Sequence, residues 1–305
     1  MRLPFDPREL IRLAFDLRTW RAGLRALRVP SLVIAAFSCG LGVVLAYRDG
    51  RGDALASILV VGSGLVLQAG VNLVNDFFEF KQRRIGDKIA HLRIFGPERR
   101  HLEWLIFLAG LGCFAAVGPV GLFLAWRSGW PLAALGAVGF VGGYAYTGEP
   151  LNYKRRGLGV TLVFFLMGVL MVSGARYAVA GDLTRATLLV SLPVSCLVSM
   201  ILLANELRDE EEDRGHGIRT LTVRWGLRAA RILFFGLLAA AYAGSFLLAS
   251  AGLLHRPWLV LAALPAAVPP SVLVFAPAAR RRPIIPLVML HHLLYGGLYL
   301  AEVLG

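Results

Sequence analysis

Six carboxylates are packed into the eight residues from Glu206 to Asp213, directly after an apolar run from Leu188 to Leu203. On a helix continuing out of that run, Asn205, Asp209 and Asp213 recur at i, i+4 and i+8 and so share one face. A second apolar run ends in Asn72, Asp76 and Glu79, at i, i+4 and i+7. Amide and carboxylate oxygens are hard ligands. Partial shells of this kind suit Mg2+ shared with the phosphate oxygens of a substrate rather than a closed protein cage. Such a cation would neutralise a diphosphate and make it a better leaving group. Lys81, Arg83 and Arg84 follow the first stretch, and Arg208, Arg214 and Arg219 surround the second. They are placed to clamp the same phosphates. Glu210, Glu211 and Glu212 point away from the shared face and read as solvated charges.

The elements that must bring these two faces together are membrane helices. Of the 305 residues, 57% are hydrophobic, and several apolar runs reach membrane-spanning length. A net charge of +13 could suggest a nucleic-acid partner. The Lys and Arg residues instead lie between apolar runs, without interleaved stacking aromatics, so membrane topology explains them and no nucleic acid is expected. Cys39, Cys113 and Cys196 sit inside apolar runs with no ligand spacing and read as reduced packing residues. His291 and His292, with no carboxylate near them in sequence, read as packing residues too. Arg280, Arg281 and Arg282 read as a topology anchor.

Residues 1–28 place Leu10, Leu13, Leu17, Leu24 and Leu27 at helical spacing, away from Arg8, Arg12, Arg18 and Arg25. This predicts an amphipathic helix lying in the membrane interface. Residues 29–305 are expected to form one transmembrane domain. Its apolar runs fall at 30–47, 55–75, 103–126, 130–147, 158–179, 184–204, 229–250, 257–278 and 284–304, which predicts nine spans. With that division, 26 of the 32 Lys and Arg residues lie on the side of the N-terminus. The N-terminus is therefore expected in the cytoplasm and the C-terminus outside. Both acidic stretches then face the cytoplasm, at the ends of spans four apart, which hints at a distant internal repeat. Pro265, Pro269 and Pro270 are expected to kink the eighth span. The expected setting is the inner, cytoplasmic membrane, with lipid around the bundle.

Three blocks carry a resemblance: N-L-V-N-D-F-F-E-F-K from Asn72, Y-T-G-E-P-L-N-Y-K-R-R-G-L-G from Tyr146, and N-E-L-R-D-E-E-E-D-R-G-H-G-I-R-T-L-T-V-R-W-G from Asn205. They resemble the UbiA-type intramembrane prenyltransferases, and within that family the 1,4-dihydroxy-2-naphthoate branch of menaquinone synthesis. The resemblance implies an all-α membrane bundle that uses Mg2+ to transfer a polyprenyl group from its diphosphate to an aromatic acceptor. In the naphthoate branch the ring carboxylate is lost as well. Position by position, Asn72, Asp76, Asp209 and Asp213 match metal and diphosphate positions, and Asn205 opens the second motif. The resemblance gives Asp76, Asp209 and Asp213 the catalytic roles. Lys81 and Arg219 match basic positions near the diphosphate, and Tyr146, Tyr153 and Arg156 fall in the acceptor block. Glu79 stands where the family usually has Asp, Glu206 where it has Asn, Ile218 where it has Lys, and Val160 where it has Asp. Other readings stay open: a hydroxybenzoate, homogentisate, tetrapyrrole or glycerol phosphate acceptor, or a non-catalytic protein that binds isoprenoids or cations.

Overall fold

The structure, a computed structural model, describes residues 27–82 and 99–305, which form helices and turns with no strand among them. Its helices are α1 (Val29–Arg48), α2 (Ala54–Gln82), α3 (Arg99–Ser128), α4 (Trp130–Ala145), α5 (Gly159–Ala180), α6 (Arg185–Gly215), α7 (Leu221–Ser250), α8 (Pro257–Leu273) and α9 (Ile284–Leu304). Each falls on one of the nine predicted apolar runs. The amphipathic helix predicted at the N-terminus lies outside the described residues apart from its last two positions.

Seven of these helices are long and apolar enough to cross a membrane, while α4 and α8 are shorter. The shortness of α8 is only in residue count. Its first part, Pro257–Ala263, is a 3-10 helix, and only Leu264–Leu273 is α-helical. At about 2 Å rise per 3-10 residue and 1.5 Å per α residue, it extends roughly 29 Å, close to the hydrocarbon thickness. The overwound stretch precedes Pro265, Pro269 and Pro270, which all fall in the α-helical half, Pro265 in its first turn. In α5 the residues Phe164–Leu170 form a π-helical stretch that no apolar periodicity predicted.

Local signals fix several helix starts. Asp53 precedes α2 and accepts a hydrogen bond from the Ala56 N–H at 2.7 Å. Thr184 caps α6 by accepting from the Thr187 N–H at 3.2 Å. Both satisfy amides that a helix end leaves unpaired.

Helix α6 is central, with 72% of its most apolar stretch buried. It is flanked by α7, α9 and the π-helical part of α5, while α2 packs on α3 and α1 on the second half of α5. Close approach needs small residues, as expected where lipid supplies no hydrophobic drive between helices. A Cβ on Gly42 of α1 would stand 2.3 Å from the Val172 carbonyl oxygen of α5. On the outside, Ile58, Leu122 and Leu247 are exposed, as a lipid-facing surface requires. Trp126 and Trp130 stand exposed at the α3–α4 turn and Trp225 at the start of α7, where aromatic belts mark the interfaces.

The end of the bundle opposite the two acidic stretches is tied by ion pairs. Arg176, 1% exposed, donates to Asp49 and, at 3.0 Å, to Asp182. Arg127 reaches Asp53 at 2.7 Å. Burial raises the Asp49 carboxyl, but the Arg176 hydrogen bond and charge outweigh it and hold that carboxyl below its usual range.

Two residues depart from their sequence reading. Glu210 is not a solvated charge: it is buried and pairs with Arg214, because α6 continues to Gly215 and turns this residue inward. Arg281 is more than a topology anchor. It is 3% exposed and donates to the Leu207 carbonyl of α6 at 3.0 Å and to Ala276 O at 2.7 Å.

Candidate active site

Helices α2 and α6 both run past their apolar stretches, so the two oxygen-rich faces stay helical to Gln82 and Gly215. Both faces open on one cavity of about 950 Å³, whose mouth is lined by Arg28, Ser31, Asn72, Asn205, Arg208 and Asp209. Residues 133 apart in sequence are thereby brought to one site. Arg28 and Arg208 lie near enough to feel each other's charge, which sets the two sides of the mouth facing one another.

Asn72 joins three elements. Its Oδ1 accepts from Gln68 Nε2 at 3.1 Å, and its Nδ2 donates to Leu27 O at 2.6 Å and Ser31 Oγ at 2.7 Å. The start of α1 is therefore docked onto the α2 face. One turn on, Asp76 accepts from Arg28 at 2.6 Å. Across the mouth, Asp209 receives a two-pronged contact from Arg208, with both hydrogen bonds at 2.8 Å. Asn205 ties its amide nitrogen to Ile201 O at 3.3 Å. Asp213 is 2% exposed, and its backbone carbonyl accepts from the Ile218 N–H at 2.8 Å. That bond folds the turn after α6 back on itself. Asp76 and Asp213 are not among the residues lining the cavity itself.

The connection between α4 and α5 supplies the next layer. Asn152, at φ 34°, sits in the left-handed region that Asn tolerates, and it starts the 3-10 turn Tyr153–Arg156. This turn puts Tyr153 and Lys154 on the cavity beside Tyr146. The two tyrosine rings meet edge to face at 5.3 Å, and Lys154 Nζ lies 5.7 Å from the Tyr146 ring. Burial pushes the Tyr153 phenol up, and neighbouring Tyr146 adds to the shift, so the hydroxyl stays protonated. Arg156 instead donates to Pro150 O at 3.1 Å, outside the cavity. Arg219 is exposed in the α6–α7 turn, where its carbonyl accepts from Arg224. Glu79 and Lys81 fall on the last turn of α2, and their side chains lie outside the described residues.

Glu206, to which the sequence assigned no role, is 2% exposed and organises the next helix. Its Oε2 accepts from the Thr222 N–H at 3.0 Å and from Thr222 Oγ1 at 3.3 Å, at the start of α7. Among the family departures, Val160 and Ile218 are core residues at 3% and 4% exposure. Arg28 was missed: a basic residue just before Pro30 at the start of a span gives no sign of pairing with Asp76, 48 residues away.

Among the described residues, no group of three His, Cys, Asp or Glu side chains converges as a metal cage. The donor set is instead mixed amide and carboxylate, with Asn72, Asn205 and Asp209 around one cavity and Asp76 beside it. That fits a hard cation whose remaining ligands come from a substrate phosphate. Guanidinium groups already stand on two of these carboxylates, so the site accommodates positive charge.

Residues 33–291 match the UbiA prenyltransferase family. A 1,4-dihydroxy-2-naphthoate octaprenyltransferase of Mycobacterium tuberculosis is 31% identical over 242 residues, covering 79% of this chain and 80% of that one. The enzyme of the same name from Bacillus subtilis is 31% identical over 204 residues; the match covers 66% of this chain and 65% of the relative. In structure, a digeranylgeranylglyceryl phosphate synthase aligns with a TM-score of 0.65 at 16% identity, over 94% of this chain and 99% of that one. A UbiA homolog from Archaeoglobus fulgidus bound to GPP and Mg2+ aligns at 0.58 and 14% identity, over 92% and 99%. The two oxygen-rich helix ends thus sit in a fold shared with these membrane proteins, and the chain belongs to the UbiA prenyltransferase family of membrane enzymes.

Proposed function

We propose that the chain transfers a polyprenyl group from polyprenyl diphosphate to an aromatic ring, with 1,4-dihydroxy-2-naphthoate as the acceptor. The observation that carries this reading is a single cavity with a charged, oxygen-rich mouth at Asn72, Asn205 and Asp209 and an apolar interior below it. A substrate with an anionic head and a hydrocarbon tail fits that polarity. The relatives' names supply the acceptor class.

Asn72, Asp76, Asn205, Asp209 and Asp213 would hold Mg2+, and Glu79, three residues beyond Asp76 on α2, would join them. When bound, the cation screens the diphosphate and improves it as a leaving group. Arg28, Arg208 and Lys154 border the head of the substrate, and their fixed positive charge stabilises the departing anion. Lys81 and Arg219 would add to that positive charge. The C1–O bond of the donor breaks with its electron pair going to the diphosphate, and a ring carbon of the acceptor forms the new C–C bond. In the naphthoate branch carbon dioxide leaves that carbon and the ring regains aromaticity. Tyr153, held protonated, serves as a hydrogen-bond donor beside the acceptor, Tyr146 packs its ring there, and Arg156 borders the same turn. The excess of Lys and Arg on one side supports a mouth that faces the cytoplasm from the cell membrane.

The test is a membrane assay with radiolabelled polyprenyl diphosphate, with and without Mg2+, offering 1,4-dihydroxy-2-naphthoate and 4-hydroxybenzoate separately. Mg2+-dependent label in a naphthoquinol product is the expected result. Product from 4-hydroxybenzoate alone would move the acceptor assignment, and donor binding without any product would overturn catalysis.

A further inference from the structure

A second recess, of about 740 Å³, lies on the outside of the bundle between α7 and α8 and shares no lining residue with the cavity of the active site. Helix α7 packs on the 3-10 start of α8, and its separation from the α-helical half leaves a groove. Leu264, Val268 and Val272 recur at i, i+4 and i+8 along one face of α8, Phe275 follows them, and Leu238 of α7 stands opposite. The one hydroxyl in the lining, Ser271 Oγ, donates to Ala267 O at 2.7 Å, so the surface offered is hydrocarbon. From Leu264 to Phe275 the groove follows roughly 16 Å of helix. That is the depth of one leaflet of a hydrocarbon core about 30 Å thick.

One end of this groove is basic. Arg231 of α7 precedes Leu238 by seven residues and so stands on the same helix face, two turns nearer the surface. Its Nε donates to Val274 O at 2.9 Å, and its guanidinium lies 5.1 Å from the centre of the Phe275 ring. The group is thereby fixed at the lip of the groove. Of the five N–H donors of a guanidinium, only this one is hydrogen-bonded among the described residues. Arg228, one turn earlier, is exposed. From the other side the α8–α9 connection brings Arg280, Arg281 and Arg282. Arg281 feels the charge of Arg231, and also that of Glu210 and Glu211, but its own donors go to Leu207 O and Ala276 O. Arg280 and Arg282 are exposed. Among the described residues no carboxylate pairs with Arg228, Arg231, Arg280 or Arg282, and Glu210 is already held by Arg214. Topology asks only for solvated positive charge. A guanidinium bonded to backbone and laid on an aromatic ring at the end of an apolar groove is a more specific arrangement.

We propose that the α7–α8 groove binds an anionic glycerophospholipid, with an acyl chain along Val268 and Val272 and the headgroup phosphate on Arg231, Arg280 and Arg282. Basic recesses between membrane helices suit anionic headgroups, and a guanidinium meets a phosphate through two parallel hydrogen bonds. The lipid comes from the leaflet on the side of the active-site mouth. Arg281 fixes that side, because the Leu207 carbonyl it reaches belongs to α6 two residues before Asp209. The bound headgroup therefore bears on the connection that holds the oxygen-rich end of α6.

The experiment titrates the full-length protein in detergent with phosphatidylglycerol or with phosphatidylcholine of the same acyl chains, read by native mass spectrometry. Wild type is expected to retain one phosphatidylglycerol with a Kd at least tenfold below that for phosphatidylcholine. Arg231→Gln should cut that preference at least fivefold. Arg224→Gln removes the same charge from the side of α7 that faces Gly157 of the α4–α5 connection, and should leave the preference as in wild type. Equal retention of the two lipids by wild type makes the groove a place for ordinary boundary lipid and overturns the proposal. An equal loss in Arg224→Gln and Arg231→Gln assigns the preference to diffuse surface charge and overturns it too, as does a dimer that sheds the lipid, which gives the groove to a second copy. Should Arg231→Gln not fold, Val268→Trp decides. Val268 is 59% exposed, and an indole there fills the groove with every arginine in place. Loss of the retained phosphatidylglycerol is expected, and binding equal to wild type overturns the site.

Discussion

Arg28, at the entrance to α1, donates to Asp76 of α2 across 2.6 Å, while Asn72 one turn away holds the same entrance through Leu27 O and Ser31 Oγ. A guanidinium of the protein thus stands on a carboxylate assigned to the metal. The two side chains are 38% and 32% exposed. A pair this open to solvent contributes at most about 1 kcal/mol to stability. Asp76→Asn should therefore leave the thermal midpoint within a few degrees of wild type while lowering Mg2+-dependent transfer at least a hundredfold. Parallel melting and transfer assays check this, and a variant that keeps full turnover would remove Asp76 from the metal site.

Glu206 acts on the fold rather than on substrate, by accepting from both donors of Thr222 at the first turn of α7. Its carboxylate also complements the positive end of that helix. Glu206→Ala leaves the buried Thr222 amide unpaired and should destabilise by about 1–3 kcal/mol. Glu206→Gln keeps an acceptor oxygen and should recover most of that loss. Thermal unfolding in detergent separates the two variants. Equal loss in both would mean that charge, not the hydrogen bond, is what the position supplies.

The two oxygen-rich helix ends were legible in the sequence because helical spacing and apolar run ends are both local signals. Asn72 with Asp76, and Asn205 with Asp209, needed only the helix to continue, which it does in α2 and α6. The nine runs were legible for the same reason. What stayed hidden depends on pairing between distant segments or on hydrogen-bond register. Arg28 finds Asp76 only because α1 packs on α2, and Arg281 is buried only because it reaches the Leu207 carbonyl of α6. The 3-10 start of α8 and the π-helical stretch of α5 leave the apolar composition unchanged, so periodicity does not register them.

Asp49 links stability to pH at the far end of the bundle. Its burial alone would raise the carboxyl, yet the hydrogen bond and charge of buried Arg176 bring it below the usual carboxylate value. A folded-state value below the unfolded one means that the stabilisation is complete above the unfolded value, near pH 4. It is then lost as pH falls through the lower folded value. The thermal midpoint should therefore decline as pH drops below about 4, and Asp49→Asn should flatten that decline while lowering the midpoint at pH 7. A decline of the same slope in Asp49→Asn would place the acid sensitivity elsewhere.

Gly168 tests whether the π-helical part of α5 is pinned against α6. A Cβ at this position would lie 2.1 Å from Ser195 Oγ and 2.7 Å from Ser195 Cα, so the neighbouring backbone, not only a side chain, would have to move. Overpacking of this kind costs about 1–3 kcal/mol. Because α6 carries Asn205 and Asp209 at its far end, a shift of α6 also disturbs the mouth of the cavity. Gly168→Ala should lower the thermal midpoint and reduce transfer. Gly236→Ala, on α7 where an added Cβ meets nothing within 4 Å, should do neither. Melting curves and transfer rates for the pair give the answer: a Gly168→Ala protein as stable and active as Gly236→Ala would show that the α5–α6 contact has room to relax.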